Sequence, residues 1–264
     1  MEIFSGIRPQ TKVVFFQAST VSWNLGMENH SQLNAFILCG GKGTRLASRV
    51  NDCPKPLASI GNRTFLSYLI DFIKKSKIHD LVFLTGHKGE MIRKSLGENF
   101  HYSHEETPLG TGGAIRLALI NFPSEFHLII NGDTLFMIDY SYFLREAQKI
   151  LKTNPDKQIV MALKKWPISD RYLSVNLGSD AAVLSFGEYC LGERLINSGI
   201  YLVRNGLTSS IGPGFVSLED EIFPTLIQQQ KVAGIELEGD FLDIGIPSDY
   251  ERAQTLIPLW MSRV

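Results

Sequence analysis

Cysteine is scarce in this 264-residue chain: Cys39, Cys53 and Cys190 are scattered, and no CxxC pair occurs. That argues against a disulfide framework or a cysteine zinc site and suits a reducing cytoplasm. Excess charge is lacking too. The formal net charge is −1, so no overall basic field draws nucleic acid or anionic lipid, and any anion must be caught by a local cluster. No apolar run reaches the ~20 residues of a membrane helix. Internal repeats and low-complexity linkers are missing as well. What is there is an ordinary globular composition, 44% apolar and 20% charged, at a length suited to one large α/β domain or one domain with an appendage.

Residues 1–32 read differently from the rest. The run VVFF follows Arg8 and Lys12 in the manner of a signal peptide, but Gln17 interrupts it and no small-x-small cleavage site follows. The stretch is expected to be an N-terminal extension, disordered or accessory, and Met27 offers a later start. From residue 34 strand and helix signals alternate. Strands are expected over 34–39, 80–86, 100–106 and 126–132, and helices over 63–76, 88–97, 111–122 and 139–151. Such alternation predicts a parallel sheet covered by helices on both faces. After about residue 157 strands dominate: 157–165, 171–177, 181–187 and 194–204, with a hairpin turn at 177–181. A helix is expected from Ser217, with Glu219, Asp220 and Glu221 in its first turn, and a last one over 247–257 opened by Pro247.

Five stretches carry candidate chemistry. In Gly40-Gly41-Lys42-Gly43, after the first strand, glycines let backbone N–H groups close on an anion. The loop fits neither the Walker pattern nor the dinucleotide fingerprint, because Gly43 follows Lys42 and Leu46 holds the third glycine's place. Lys55 stands between Pro54 and Pro56, which stiffen its backbone and make it a solvent-facing point charge for a polyphosphate. Asp133 ends an apolar strand, and Asp243 ends another, a pair suited to one Mg²⁺ shared with phosphate oxygens. In Glu105–Ala114, small residues at a helix start allow close approach to a base or sugar. Taken singly, these stretches also read as a tight turn, a loop lysine, two structural acids and a Thr-capped helix.

Together they resemble the sugar-1-phosphate nucleotidyltransferase family. The resemblance is carried by Gly43-Thr44-Arg45-Leu46, Pro54-Lys55-Pro56-Leu57, Leu109 to Ala114, Gly132-Asp133, Asn197 to Tyr201 and Asp243 to Pro247, and spans about residues 34–258. It implies a single Rossmann-like α/β domain over 33–264: a central, mostly parallel mixed sheet flanked by helices, with a β-rich sugar-binding insertion. Residues 33–156 would form the nucleotide-binding half and 157–264 the sugar-binding half. It implies transfer of a nucleoside monophosphate from an NTP to a sugar 1-phosphate, with pyrophosphate leaving. Arg45, Lys55 and Asp133 would be catalytic, and Asp133 and Asp243 would hold Mg²⁺. Leu38, Gly40, Gly41, Gly43, Thr44, Glu106, Gly110, Thr111 and Gly112 would bind the nucleotide. Lys164, Glu188, Asn197 and Gly199 would bind the sugar phosphate.

Glu106 before the Leu109–Ala114 segment resembles the guanylyltransferase branch, and the text around Thr64–Asp71 and Asn131–Asp139 resembles its heptose 1-phosphate members. GTP and D-glycero-α-D-manno-heptose 1-phosphate are therefore the implied substrates, with mannose 1-phosphate the near alternative. A uridylyl- or thymidylyltransferase and a non-catalytic nucleotide-sugar-binding protein are the other readings. One departure stands out: Tyr189 occupies a place where many relatives carry a lysine that contacts the sugar phosphate, and Lys164 or Lys165 would have to compensate. Family members often pair, so a homodimer is compatible, although no stretch marks an interface.

Overall fold

The computed structural model describes residues 33–41, 43, 46, 49–50, 52–167, 172–187 and 194–263. The first strand, β1 (Leu33–Leu38), alternates its side chains between two cores. Leu33, Ala35 and Ile37 face one core and Phe36 the other. Two short strands, β2 (Ser59–Ile60) and β3 (Arg63–Thr64), lead into α1 (Phe65–Lys75). That helix forms because Phe65, Leu66, Leu69, Ile70 and Ile73 share one buried face. Thr64 caps it, accepting the Ser67 N–H at 3.2 Å, and Lys74 and Lys75 sit in its last turn.

There follow β4 (Leu81–Thr85), α2 (Gly89–Leu96), β5 (His101–His104), α3 (Gly110–Asn121), β6 (Phe126–Asn131), β7 (Thr134–Phe136) and α4 (Tyr140–Thr153). The second half contributes β8 (Ile159–Trp166), β9 (Ser174–Leu177), β10 (Val183–Phe186) and the long β11 (Arg194–Arg204). A π-helical turn (Leu218–Ile222) then runs into α5 (Phe223–Gln228), β12 (Val232–Leu237), β13 (Phe241–Asp243) and α6 (Pro247–Met261).

Among the described residues, nine strands form one mixed sheet, in the order β10-β9-β11-β6-β1-β4-β5, with β8 also paired to β11 and β12 paired to β8. β1, β4, β5 and β6 run parallel, whereas β11 enters antiparallel beside β6. Helices cover both faces. Phe65, Tyr140, Phe143 and Ile257 from α1, α4 and α6 pack in one core; Ile115 and Leu119 of α3 join Phe223 and Leu226 of α5 in the other. The expected α/β fold with a strand-rich second half is what the chain adopts.

Two elements depart from expectation. α6 runs through Pro258 instead of stopping at 257, because a proline there removes only one intrahelical bond while Ile257 before it and Trp260 beyond it stay buried. The turn begun at Ser217 is π-helical before it becomes α5; Ser217 Oγ accepts the Asp220 N–H, and Glu221 accepts the Ser217 N–H. None of the helices among the described residues is long and apolar enough to cross a membrane.

Candidate active site

The cleft lies where the parallel strands end. β1 empties into the glycine loop, and its neighbour β6 empties into Gly132-Asp133; the Gly132 N–H donates to Leu38 O at 2.9 Å. This is the edge of an open α/β sheet at which ligands collect. Three contiguous chambers occupy it. The widest, about 600 Å³, is lined by Leu38, Gly40, Gly41, Glu105, Glu106, Gly110, Thr111 and Phe215 among others. The middle one, about 170 Å³, shares Leu38, Gly40, Gly41 and Thr111 with it and adds Gly43, Lys55, Pro56, Asn131, Asp133 and Glu219. The third, about 180 Å³, shares Asn131 and Glu219 with the middle one and adds Tyr172, Asn197, Gly199, Phe241 and Asp243.

Lys55 opens a short 3₁₀ turn, Lys55–Leu57, closed by the Ala58 N–H on Lys55 O. The flanking prolines fix its backbone. Its side chain, however, does not face solvent. Lys55 Nζ donates to Asp133 Oδ2 at 2.7 Å, and the two side chains are only 14% and 28% exposed. The stem runs past Gly43, where a Cβ would sit 3.7 Å from Lys55 Cβ. The partner that pulls the lysine inward comes from 78 residues away, beyond the reach of any local pattern.

Asp243 reaches the cleft through a separate two-stranded ribbon. β13 pairs antiparallel with β7, placing Asp243 opposite Thr134, and the Ile244 N–H donates to Asp133 O at 3.0 Å. Asp133 and Asp243 therefore stand on adjacent chain segments, one lining the middle chamber and the other the third. Asp243 Oδ1 accepts the Gly245 N–H at 2.5 Å, which orients the carboxylate. Among the described residues no group of three or more His, Cys, Asp or Glu gathers as a metal cage. Two carboxylates on adjoining segments, one on each of two contiguous chambers, fit Mg²⁺, which takes one or two carboxylates and completes its shell with water and phosphate oxygens.

In the third chamber β11 bulges between Asn197 and Tyr201. Asn197 Nδ2 donates to the Tyr201 hydroxyl at 2.7 Å and Asn197 Oδ1 accepts the Gly199 N–H at 3.0 Å. Burial first, and then the Glu219 carboxylate, push the Tyr201 hydroxyl far up, so it stays protonated. Gly199 has φ +76°, and a Cβ there would lie 2.5 Å from Asn131 Nδ2. Gly199→Ala is therefore expected to destabilise the protein by about 2–3 kcal/mol, from left-handed backbone strain plus the clash, measured by urea unfolding.

A family model described as "Nucleotidyl transferase" matches residues 34–258. This chain belongs to the nucleotidyl transferase family. It is 38% identical to a D-glycero-α-D-manno-heptose 1-phosphate guanylyltransferase of Campylobacter jejuni, over 83% of this chain and 97% of the relative. The enzyme of the same name from Aneurinibacillus thermoaerophilus is 37% identical, over 84% of this chain and 97% of its own. Among solved structures, HddC from Yersinia pseudotuberculosis complexed with GMP-PN superposes with a TM-score of 0.72 at 28% identity, covering 84% of this chain and 97% of that one.

In this nucleotidyltransferase the cleft gathers most of the residues singled out from the sequence. Leu38, Gly40, Gly41, Gly43, Glu106, Gly110, Thr111, Lys55 and Asp133 line the first two chambers; Asn197, Gly199 and Asp243 line the third. Gly112 lies behind the wall, its N–H bonded to Val216 O at 2.9 Å. Lys164 lines none of the three chambers; its Nζ pairs with Glu238 Oε2 at 2.9 Å. The register of β8 against β12 sets Lys164 opposite Leu237, next to that acid. Thr44, Arg45, Glu188 and Tyr189 lie outside the described residues.

Glu105 and Asn131 fall inside stretches singled out from the sequence but were not named as ligands, and Phe215 and Glu219 were not named as site residues. Glu105 Oε2 accepts the Leu109 N–H at 3.0 Å, and burial pushes its carboxyl up against the opposing pulls of that N–H and His104. Phe215, 68% exposed, stands at the wide chamber's wall. An aromatic left that open beside a cavity was the signal a sequence could not give.

Proposed function

We propose that this nucleotidyltransferase moves a guanylyl group from GTP to D-glycero-α-D-manno-heptose 1-phosphate, making GDP-heptose for cell-surface glycan synthesis. The observation that carries the reading is the match, across 97% of their length, to two enzymes named for that reaction. A phosphate oxygen of the sugar 1-phosphate attacks the α-phosphorus in line. One P–O bond forms as the bond to the pyrophosphate oxygen breaks, with no covalent enzyme intermediate and no redox partner.

The cleft's order supports this path: base in the wide chamber, phosphates in the middle, sugar in the third. Lys55 leaves Asp133 for a phosphate oxygen and balances charge on the reacting group. Arg45 is assigned to the β- and γ-phosphates. Asp133 and Asp243 would hold Mg²⁺, which when bound neutralises and orients phosphate oxygens. Asn197 and the Gly199 backbone face the sugar; the Tyr201 hydroxyl holds the Asn197 amide, and Asn197 Oδ1 holds the Gly199 N–H. Binding both substrates in fixed array supplies much of the rate.

The wide chamber favours guanine on chemical grounds. The Watson–Crick edge of guanine presents two donors, N1–H and the N2 amine, whereas uracil and thymine present one. Glu105 and Glu106 line that chamber as acceptors, and Phe215 offers an aromatic face for the base. Glu106→Ala is expected to raise KM for GTP about tenfold and to shrink the preference for GTP over ITP, which lacks the N2 amine. Steady-state kinetics with the two nucleotides checks it.

The substrate reading is tested by pyrophosphate release across a grid of NTPs and sugar 1-phosphates. GTP with the heptose 1-phosphate should exceed every other pair in kcat/KM by about tenfold or more. Mannose 1-phosphate in first place would move the enzyme to that acceptor, and UTP or dTTP in first place would overturn the base assignment.

A further inference from the structure

Thr111 has one hydroxyl proton, and Glu219 takes it. Thr111 Oγ1 donates to Glu219 Oε2 at 2.7 Å and accepts the Leu218 N–H at 2.8 Å. A hydroxyl engaged in both roles holds the Glu219 carboxylate in one orientation. The main chain reinforces it: the Val216 N–H donates to Leu109 O at 2.8 Å and the Gly112 N–H to Val216 O at 2.9 Å. The segment leading to Glu219 is thus tied to the start of α3 on both sides of Thr111.

Glu219 is half-buried and lines the middle and third chambers at once, beside Asn131. Among the described residues it forms no ion pair. A carboxylate is no ligand for a phosphate, which in the middle chamber falls to Lys55. It lines the third chamber together with Asn197, Tyr172, Phe241 and Asp243, where the described lining includes no cation and an anionic acceptor binds neutral O–H donors.

We propose that Glu219 reads a hydroxyl of the acceptor sugar, with Thr111 as its positioning residue. The inference rests on the reading of the acceptor as a sugar 1-phosphate. One carboxylate oxygen holds Thr111, and Oε1 takes the sugar hydroxyl. A sugar lacking that hydroxyl leaves the desolvated carboxylate unpaired, so the contact discriminates as well as binds.

Steady-state kinetics of Glu219→Gln, each substrate varied against saturating partner, tests it. KM for the sugar 1-phosphate should rise about 10- to 100-fold while KM for GTP moves less than about threefold, which also shows the variant folded. Thr111→Val should show the same selectivity with a smaller rise, and Thr111→Ser should restore wild-type values. Among monodeoxy sugar 1-phosphates, one position should cost the wild type that same factor and cost Glu219→Gln nothing more. An unchanged sugar KM in Glu219→Gln overturns this inference alone, as does a raised Mg²⁺ requirement at unchanged sugar KM. Absence of pyrophosphate release by the wild type with every sugar 1-phosphate overturns the acceptor reading and this inference with it.

Discussion

Asp133→Asn is expected to lower kcat by about 10³-fold or more while the melting temperature moves by no more than about 4 °C. Asparagine keeps the shape of aspartate and its turn after β6, so the Ile244 N–H on the residue-133 carbonyl is unaffected. What disappears is the negative charge, and that charge has two tasks in the proposed reaction. It holds the divalent ion with Asp243, and before substrate arrives it holds Lys55 at 2.7 Å. Without it a phosphate group meets a chamber that has lost half its metal anchorage. The check is pyrophosphate release under saturating GTP and Mg²⁺, paired with circular dichroism and thermal unfolding. Near wild-type turnover in a folded variant would remove Asp133 from the metal site.

Lys55→Met should reduce kcat/KM by about 10²- to 10³-fold, with the loss seen for both substrates because both carry phosphate. Methionine preserves the length of the stem along Gly43 but removes the ammonium. Asp133 then stays in the chamber as an acid without its cation, which repels phosphate before any metal is bound. Lys55→Arg should recover little of the loss. The guanidinium is a wide planar fork, whereas the site is a narrow chamber of about 170 Å³ with Gly43 against the stem. Kinetics of the two variants side by side separate a need for charge from a need for a compact ammonium. Recovery to wild-type values by arginine would show that charge alone suffices.

The parts of the site that lie along the chain were legible in it. A buried strand running into glycines marks a loop at the sheet's carboxyl edge, and an acid directly after a strand marks the same edge. Those signals are local, because they depend on turn chemistry and on strand period. Contacts made across the fold were not legible. Glu219 comes from 108 residues beyond Thr111, and read alone it is one of three acids favoured by a helix start. Asp243 was visible as a strand-ending acid, but its pairing with β7 in a ribbon apart from the main sheet has no signature in alternation. The prolines beside Lys55 said nothing of where the ammonium would go. Lys164 shows the same limit from the other side: its type suits a phosphate, and its register gives it to Glu238 instead.

For the fold, period and punctuation carried the strands and helices to within a few residues. α6 extends past the expected 257, to Met261. In the folded chain the burial of Trp260 outweighs the single bond lost at Pro258.

The central claim is that the Lys55–Asp133 pair marks the point where a nucleotidyl group changes hands. Phosphorus NMR of GTP, Mg²⁺ and D-glycero-α-D-manno-heptose 1-phosphate incubated with the full chain tests it most directly. The expected result is a GDP-sugar and pyrophosphate appearing in equal amounts, with Asp133→Asn and Lys55→Met silent on the same timescale. Inorganic phosphate in place of pyrophosphate, or equal product formation by all three proteins, would contradict it.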